Sequence, residues 1–520
     1  MLIVVNKSML HYAHEFYQIN ISKGIKVMIL SWVLTLFFSL NSFARNAVVH
    51  ITIKNLRGSA LLYDPQFRYD LSKRTQLLKL DADQSVTYTM FLDHPDYLIL
   101  LFSEKLSKYS LFLCPGDELF LSADMSAKND NIKVTGKGSN NNQPEIFALI
   151  NMDVKSFDND TDPNRVITAI NRRFLVNKSI LLDYIRVYKP SPEFIKAANY
   201  NLQYFAPMAF YESSHNNVFG KPYAQKVKWK NIQDSLFSNA RINNGSALTA
   251  YNYTRLVDDF LLRGELSDLM DEYRTNPKLF FKKWFHTDQI HGKELFNYAQ
   301  VGMLNKFIID KYFTGTTAEY SFGQAIKYLF NKADYSSAAF LFDHFKKKFP
   351  ANVYIERFSP QMTEVYSKQK QVFNHKTVFV SDNGAKLNTL NEVIALNKSK
   401  AVFIDMWGTW CGPCREEIQK NASSLRAHFQ GKDVVFLYIA NMDSGREREW
   451  KKQIAFFNIE GKHILANANL TKDIMRKVVA TGYPTYIIIK KDGSYKQTIT
   501  KYPVNLNILI KEIETASNNK

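Results

Sequence analysis

The chain reads as a multidomain protein: a small antiparallel β domain, an α-helical middle domain and a C-terminal α/β domain, behind an apolar leader. Three observations carry this reading. At 520 residues the chain exceeds what one hydrophobic core accommodates. Near Asn142 the apolar period changes from two to about 3.6 residues. Near Gln371 it changes again, to single strands alternating with helices around a closely spaced cysteine pair.

The first element is the leader. Lys23 and Lys26 precede the apolar run Val27 to Leu40, which is followed by Asn41, Ser42, Phe43, Ala44 and then Arg45. The run is shorter than the roughly 20 residues a membrane helix needs, and Ser42 and Ala44 are small where a signal peptidase reads. Residues 1–44 therefore have the layout of a secretory signal cleaved after Ala44, with an uncleaved membrane anchor as the competing reading. The polar stretch Met1 to Ile21 is unusual in such a segment and leaves room for a later start, such as Met28. No cysteine follows the run closely, which argues against lipoprotein processing. The expected location is the periplasm or cell envelope.

Export also bears on the charge. The formal net charge is +18, of which Lys7, Lys23, Lys26 and Glu15 in the leader contribute +2, leaving +16. Basic runs such as Lys346 to Lys348 read as solvated faces, and nucleic acid is not an expected partner outside the cytoplasm. Peripheral contact with an anionic membrane surface stays open.

Residues 45–138 carry strand patterns. Alternation over Val49 to Ile53, then Tyr97 to Phe102 and Tyr109 to Leu113, is punctuated by the turn Cys114-Pro115-Gly116-Asp117, after which Glu118 to Ser122 resumes. Cys114 at a strand end reads as a small buried hydrophobe rather than a third redox cysteine. Residues 142–365 are helical in period. Asp162-Pro163 and Ser191-Pro192 each place a capping side chain before a proline at the first helical position, and Phe194, Ile195, Ala198, Leu202 and Phe205 recur on one face. The aromatic stripes here read as core, and the segment holds no catalytic constellation.

Residues 371–520 alternate strand and helix. Strand Thr377 to Val380, the turn Ser381 to Gly384 and strand Ala401 to Met406 lead to a helix from Pro413 to Phe429 that buries Ile418, Ala422, Leu425 and Phe429 and is closed by Gly431. Strand Val434 to Ala440 follows, then a helix opened by a Ser444/Glu447 capping box with Trp450, Ile454 and Phe457 on one face. A short helix near Asp473 to Val479, strand Thr485 to Ile489, the Asp492-Gly493 hairpin, strand Tyr495 to Thr500 and a terminal helix complete the unit.

Cys411 and Cys414 flank Gly412-Pro413 between the strand and the first long helix. A thiolate at a helix N-terminus is stabilised by unpaired N–H groups and the positive end of the dipole. Cys411 is placed at the exposed tip, with Cys414 shielded one turn inward. A zinc site would need a second Cys or His pair at matching spacing, and no such pair is present. No metal and no cofactor is called for.

The motif Trp407-Gly-Thr-Trp-Cys411-Gly-Pro-Cys414-Arg415, with Gly482-Tyr-Pro484-Thr485 before a later strand, resembles the TlpA/ResA-like thiol–disulfide oxidoreductases of the thioredoxin fold. The resemblance covers roughly the last 150 residues. The Cys-Pro-Gly-Asp turn with Val134 to Gly138 is similar to β domains that precede such modules in envelope proteins. The family implies that Cys411 attacks a target disulfide, that Cys414 resolves the mixed disulfide and that the oxidised pair is the product. It implies a buried Asp405 as proton acceptor for Cys414, with a partly solvated Asp as the plain reading. It also implies a cis Pro484 facing the sulfurs, where Tyr483, Gly412, Pro413 and Trp410 bind substrate. Arg415 is expected to stabilise the thiolate, against Glu416 and Glu417. Two departures stand out. Gln419 takes the place of a helix-kinking proline, which predicts a straighter helix, and Gly408 replaces the more usual Ala.

The function expected is an exported protein-disulfide reductase acting on disulfide-containing envelope proteins. Lacking a second Cys-x-x-Cys, it would be recharged by a membrane thiol-transfer protein as electron donor. The alternative is an envelope interaction or scaffold protein with an ancillary redox module. A peroxidase, suggested by Thr409 two residues before Cys411, is disfavoured by Trp410 and Cys414.

Overall fold

The structure, a computed structural model, describes residues 46–103, 107–126, 131–150, 157, 160–218 and 223–518. Segment 1–44, with its cleavage site and its alternative as an anchor, lies outside the described residues. Among the described residues no helix is long and apolar enough to cross a membrane.

The N-terminal strands are β1 (Ala47–Lys54), β2 (Ala60–Tyr63), β3 (Gln76–Leu77), β4 (Ser85–Met90), β5 (Asp96–Phe102), β6 (Ser107–Leu113), β7 (Glu118–Asp124) and β8 (Asn131–Lys137). They form two four-stranded sheets, ordered β4-β1-β7-β8 and β3-β2-β5-β6. In β1 the alternation buries Val49, Ile51 and Ile53 and leaves His50 and Thr52 half-buried. The expectation of a purely antiparallel unit needs correcting, because β1 pairs with β7 in parallel, Val49 opposite Leu119. The chain leaves β1, builds the second sheet and returns along the same direction, which gives it the long crossover a parallel pair requires. The turn after β6 is closed by Asp117, whose N–H donates to the Cys114 carbonyl (3.0 Å) and whose carboxylate accepts from the Cys114 N–H (2.8 Å). Burial, then Asp117, pushes the Cys114 thiol up to about 11, so little of it is thiolate at neutral pH.

Helices follow from Pro144 to Gln369. The first are α1 (Pro144–Ile150), α2 (Pro163–Tyr188) and α3 (Pro192–Gln203). Asp162 accepts from the Asn164 N–H (3.0 Å) and Ser191 Oγ from the Phe194 N–H (3.2 Å), so both Pro-led starts are capped by side chains. Phe194, Ala198 and Leu202 of α3, with Leu181 and Tyr184 of α2, join the cluster that holds Leu98, Leu100 and Phe112. The β unit and these helices therefore share one core. A second cluster, rich in Phe and Tyr, draws in Leu71 and, from α2, Val166 and Ile170, and runs from Tyr204 to Val365. It includes α4 (Tyr251–Asp259), α5 (Gly315–Asn331) and α6 (Tyr335–Lys348).

The C-terminal unit is built on β9 (Thr377–Phe379), β10 (Ala401–Trp407), β11 (Val434–Ala440), β12 (Gly461–Leu465), β13 (Thr485–Ile489) and β14 (Tyr495–Gln497), in the order β14-β13-β10-β11-β12-β9. Strands β10, β11, β12 and β9 pair in parallel, and β13 runs against β10. Every residue of β10 is buried, as a central strand covered on both faces must be. The helices are α7 (Leu390–Ala395), α8 (Gly412–Glu417), α9 (Ser423–His428), α10 (Glu447–Phe456), α11 (Ala468–Lys477) and α12 (Leu506–Asn518).

Two local expectations fail here. The helix after the cysteines does not run straighter. Residues Ile418 to Ala422 form a π-turn between α8 and α9, so a bulge takes up the geometry with Gln419 inside it. The Ser444/Glu447 capping box does not form either. Gly445 adopts φ +79°, α10 starts only at Glu447, and the Glu447 carboxylate accepts from Lys451 (2.6 Å) and Asn383 (2.9 Å) instead.

Candidate active site

Strand β10 delivers the chain from the core to the loop Gly408-Thr409-Trp410, and α8 begins at once. Cys411 is its N-cap: its backbone is extended (φ −85°, ψ 99°) and its Sγ accepts from the Cys414 N–H at 3.2 Å. That is the position where unpaired helix amides favour negative charge on sulfur. Cys411 and Cys414 are joined as a disulfide. The expected contrast in exposure between them is absent, since Cys411 is 3% exposed and Cys414 1%. Both cysteines belong to a buried cluster that also holds Trp407, Ile418, Tyr438 and Trp450, with Tyr483 packed against it. Trp407 is fully buried and belongs to the core.

The open side is defined by what flanks the pair. Gly412 and Pro413 are half-buried, Trp410 is 39% exposed, and a Cβ placed on Gly412 or Gly482 would meet nothing within 4 Å. The Trp410 ring stands edge-on to Tyr483, centroids 5.5 Å apart, and its Nε1 donates to the Asn441 carbonyl at 2.9 Å. Gly408 makes that arrangement possible. A Cβ there would lie 2.8 Å from Trp410 Cε2 and 3.0 Å from the Asn441 carbonyl oxygen. The Tyr483-Pro484 bond is cis, Pro484 is buried, and Thr485 Oγ1 donates to the Gly482 carbonyl at 2.6 Å.

Asp405 lies on β10 between Tyr438 of β11 and Tyr486 of β13. Its side chain is buried, and its Oδ1 accepts no hydrogen bond from the described residues. Burial first, and the Glu417 carboxylate second, push its carboxyl up to about 8. Glu417 is itself buried and accepts from Asn421 Nδ2 (2.5 Å) and the Val504 N–H (3.2 Å).

Arg415 does not face the sulfurs as expected. Its buried guanidinium donates to the Thr409 carbonyl and to the Lys332 carbonyl (3.3 Å), and lies 3.7 Å from Asp334. It ties the redox loop to the turn between α5 and α6. Around it Lys332 Nζ meets Glu416 at 2.9 Å, Tyr335 OH donates to Gln419 at 2.6 Å, and the Tyr335 ring stacks on Phe456. The helical unit therefore covers one flank of the redox helix.

Two supporting residues were not anticipated. Asp443 is fully buried and accepts from the Thr409 N–H (2.8 Å) and Oγ1 (2.6 Å). Burial raises its carboxyl, against the pull of those bonds. Asn441 receives Trp410 at its carbonyl, while its side chain donates to the Ile439 carbonyl (2.8 Å) and accepts from Thr471 Oγ1 (2.9 Å). The available signal was a pair of polar residues directly after the apolar strand β11.

No family model matches the chain. A curated relative, the thiol–disulfide oxidoreductase ResA of Bacillus subtilis (strain 168), is 28% identical over 109 residues, 20% of this chain and 54% of that protein. This relative belongs to the TlpA/ResA-like family that the motifs resemble, and the likeness is partial: the chain spans about half the length of the curated relative it matches. Among solved structures, the thioredoxin domain of a thiol–disulfide oxidoreductase from Bacteroides vulgatus is 22% identical and covers 25% of this chain and 84% of that one, with a TM-score of 0.21. A thioredoxin-like protein from Bacteroides caccae is 15% identical and covers 50% of this chain and 91% of that one, with a TM-score of 0.18. At these scores neither carries an argument.

Proposed function

We propose that the chain is an exported thiol–disulfide oxidoreductase that reduces disulfides in envelope proteins, with Cys411 as nucleophile and Cys414 as resolving thiol. The observation that supports this best is the N-cap position of Cys411, its sulfur hydrogen-bonded by the Cys414 amide beside a cis-proline loop. In the reduced dithiol, Cys411 thiolate attacks one target sulfur, forming a mixed disulfide and releasing the other target sulfur as thiolate, which takes up a proton. Cys414 then attacks Cys411 Sγ, giving its proton to the carboxylate form of Asp405 and expelling the second target thiolate. Two electrons pass to the target, whose second thiolate takes up a proton from solvent as the first did, Asp405 later releases the proton it received, and the Cys411–Cys414 disulfide is left. A membrane thiol-transfer protein returns the electrons. Export rests on the Lys23 to Ala44 layout.

The interaction-protein reading draws support from the enclosure of both sulfurs. Substrate trapping separates the two. Cys414→Ala should accumulate mixed disulfides with envelope proteins and Cys411→Ala should not. Absence of dithiothreitol-dependent disulfide reduction by the intact protein, with no trapped adducts, would overturn the enzyme reading.

A further inference from the structure

Against the redox helix stands a turn of the helical unit, Lys332-Ala333-Asp334, between α5 and α6. Its shape is fixed by its own bonds. Ala333 adopts φ +50°, the left-handed conformation in which many helices end. The Asp334 N–H donates to the Leu329 carbonyl at 2.9 Å, and the Asp334 carboxylate caps α6 by accepting from the Ser337 N–H at 3.3 Å.

This turn meets two neighbouring residues of α8 that differ in charge, and it offers each the opposite sign. Lys332 Nζ lies 2.9 Å from Glu416, and Asp334 lies 3.7 Å from the buried Arg415. Both contacts bear on Cys411. Arg415 donates through its side chain to the Thr409 carbonyl, two residues before Cys411, and through its backbone N–H to the Cys411 carbonyl at 3.1 Å. Glu416 lies five residues beyond Cys411, about 7.5 Å along a helix axis, and also accepts from Tyr502 OH at 3.3 Å. The other titratable groups around the pair are Asp405 of β10, Tyr438 of β11, Asp443 after β11, Tyr483 of the cis-proline loop and Glu417 of α8. From α10 comes Trp450, which does not titrate. Lys332 and Asp334 thus add a charge pair to the redox site from outside the C-terminal unit.

We propose that Lys332 and Asp334 are positioning residues of the redox site: by balancing Glu416 and Arg415 they set the acidity of the Cys411 thiol in the reduced chain. This role takes Cys411 as the nucleophile, as in the proposed function, and makes the helical unit part of the redox apparatus. Removing either charge alone upsets the balance. Without Asp334, the Arg415 guanidinium loses its carboxylate and favours the thiolate; without Lys332, Glu416 stands unopposed and disfavours it. Across such a distance in partly solvated surroundings, each change is worth about half a pH unit.

The test follows the pH dependence of iodoacetamide alkylation at Cys411 in the reduced full-length chain, the modified site being located by fragment mass spectrometry. Asp334→Asn, which keeps the cap on α6, should lower the Cys411 midpoint by about half a pH unit, and Lys332→Gln should raise it by about as much. Lys332→Arg should keep the parent value. The equilibrium with reduced and oxidised glutathione should move in step, about threefold toward the dithiol for Asp334→Asn and about threefold toward the disulfide for Lys332→Gln. Mere loosening of the packing would move both variants in one direction. Midpoints that shift with the same sign, or a Lys332→Gln midpoint equal to that of the parent, overturn the proposal. Should Asp334→Asn fail to fold, Lys332→Gln against Lys332→Arg decides. Alkylation needs no target protein, so a chain that reduces no disulfide would overturn the proposed function while the midpoints still decide the role of the turn.

Discussion

Replacing Asp405 by Asn should change the sign of its effect on stability between acid and alkaline pH. The carboxyl has a folded-state pKa of about 8 against 3.8 for the free group. Between those values the native state keeps a proton that the unfolded chain has released, so the benefit of a neutral Asp405 is full below about pH 4 and is lost as pH rises through about 8. A rise of about four pH units, at about 1.4 kcal/mol each, amounts to about 6 kcal/mol. The buried Asn amide carries no such dependence but leaves donors unpaired in the core, at a cost of about 1–3 kcal/mol. Asp405→Asn should therefore be less stable than the parent by about 1–3 kcal/mol at pH 4 and more stable by about 3–5 kcal/mol at pH 9. Urea unfolding of the oxidised proteins at both pH values measures this, and other titrating groups cancel in the difference. Glu417→Gln should bring the parent closer to the variant by removing the neighbouring charge. A variant whose stability parallels the parent at both pH values would refute the placement of Asp405 in a dry core.

Three further outcomes follow from the same surroundings. Gly408→Ala should push the Trp410 indole off the Asn441 carbonyl, visible as a red shift in tryptophan emission and slower reaction with disulfide substrates; an unchanged spectrum would contradict the packing. Asp443→Ala strips the buried Thr409 N–H and hydroxyl of their acceptor and should cost about 2–5 kcal/mol in urea unfolding. His463 is fully buried, its Nε2 3.0 Å from the Ile459 carbonyl, and burial lowers its pKa to about 4. Its contribution is present above about pH 6.5 and lost as pH falls through about 4, about 3 kcal/mol in all. His463→Gln should remove that acid sensitivity from the unfolding curve.

Much of the C-terminal unit was legible because its signals are local. The apolar-dominated run from Ala401 to Met406 announces a strand, whereas the burial of Asp405 within it was implied by the family resemblance and not by the run itself. Strand β12 was missed because Gly461, Lys462 and His463 break the apolar run, and His463 is buried only through partners far along the chain. The roles of Asn441 and Asp443 were invisible for the same reason: each is bonded to residues some thirty positions away. Ser444 and Glu447 have the spacing of a capping box, yet one left-handed glycine between them outweighs it. Arg415 reads as a cation beside a thiol, and only the packing of the helical unit turns it toward Asp334. Enclosure of Cys411 likewise depends on side chains from several elements.

The parallel pairing of β1 with β7 has a bearing on how the protein is made. Strand β1 has one antiparallel neighbour within reach at β4, but its other edge stays bare until Glu118 to Asp124 has been synthesised. Such distant closure is slow relative to local hairpins, and an open apolar edge invites wrong pairing in the interval. A nascent-chain holdase should therefore engage the segment around Val49 to Ile53 more persistently than any stretch of the redox module, whose central strands β10 and β11 meet within a few dozen residues of each other.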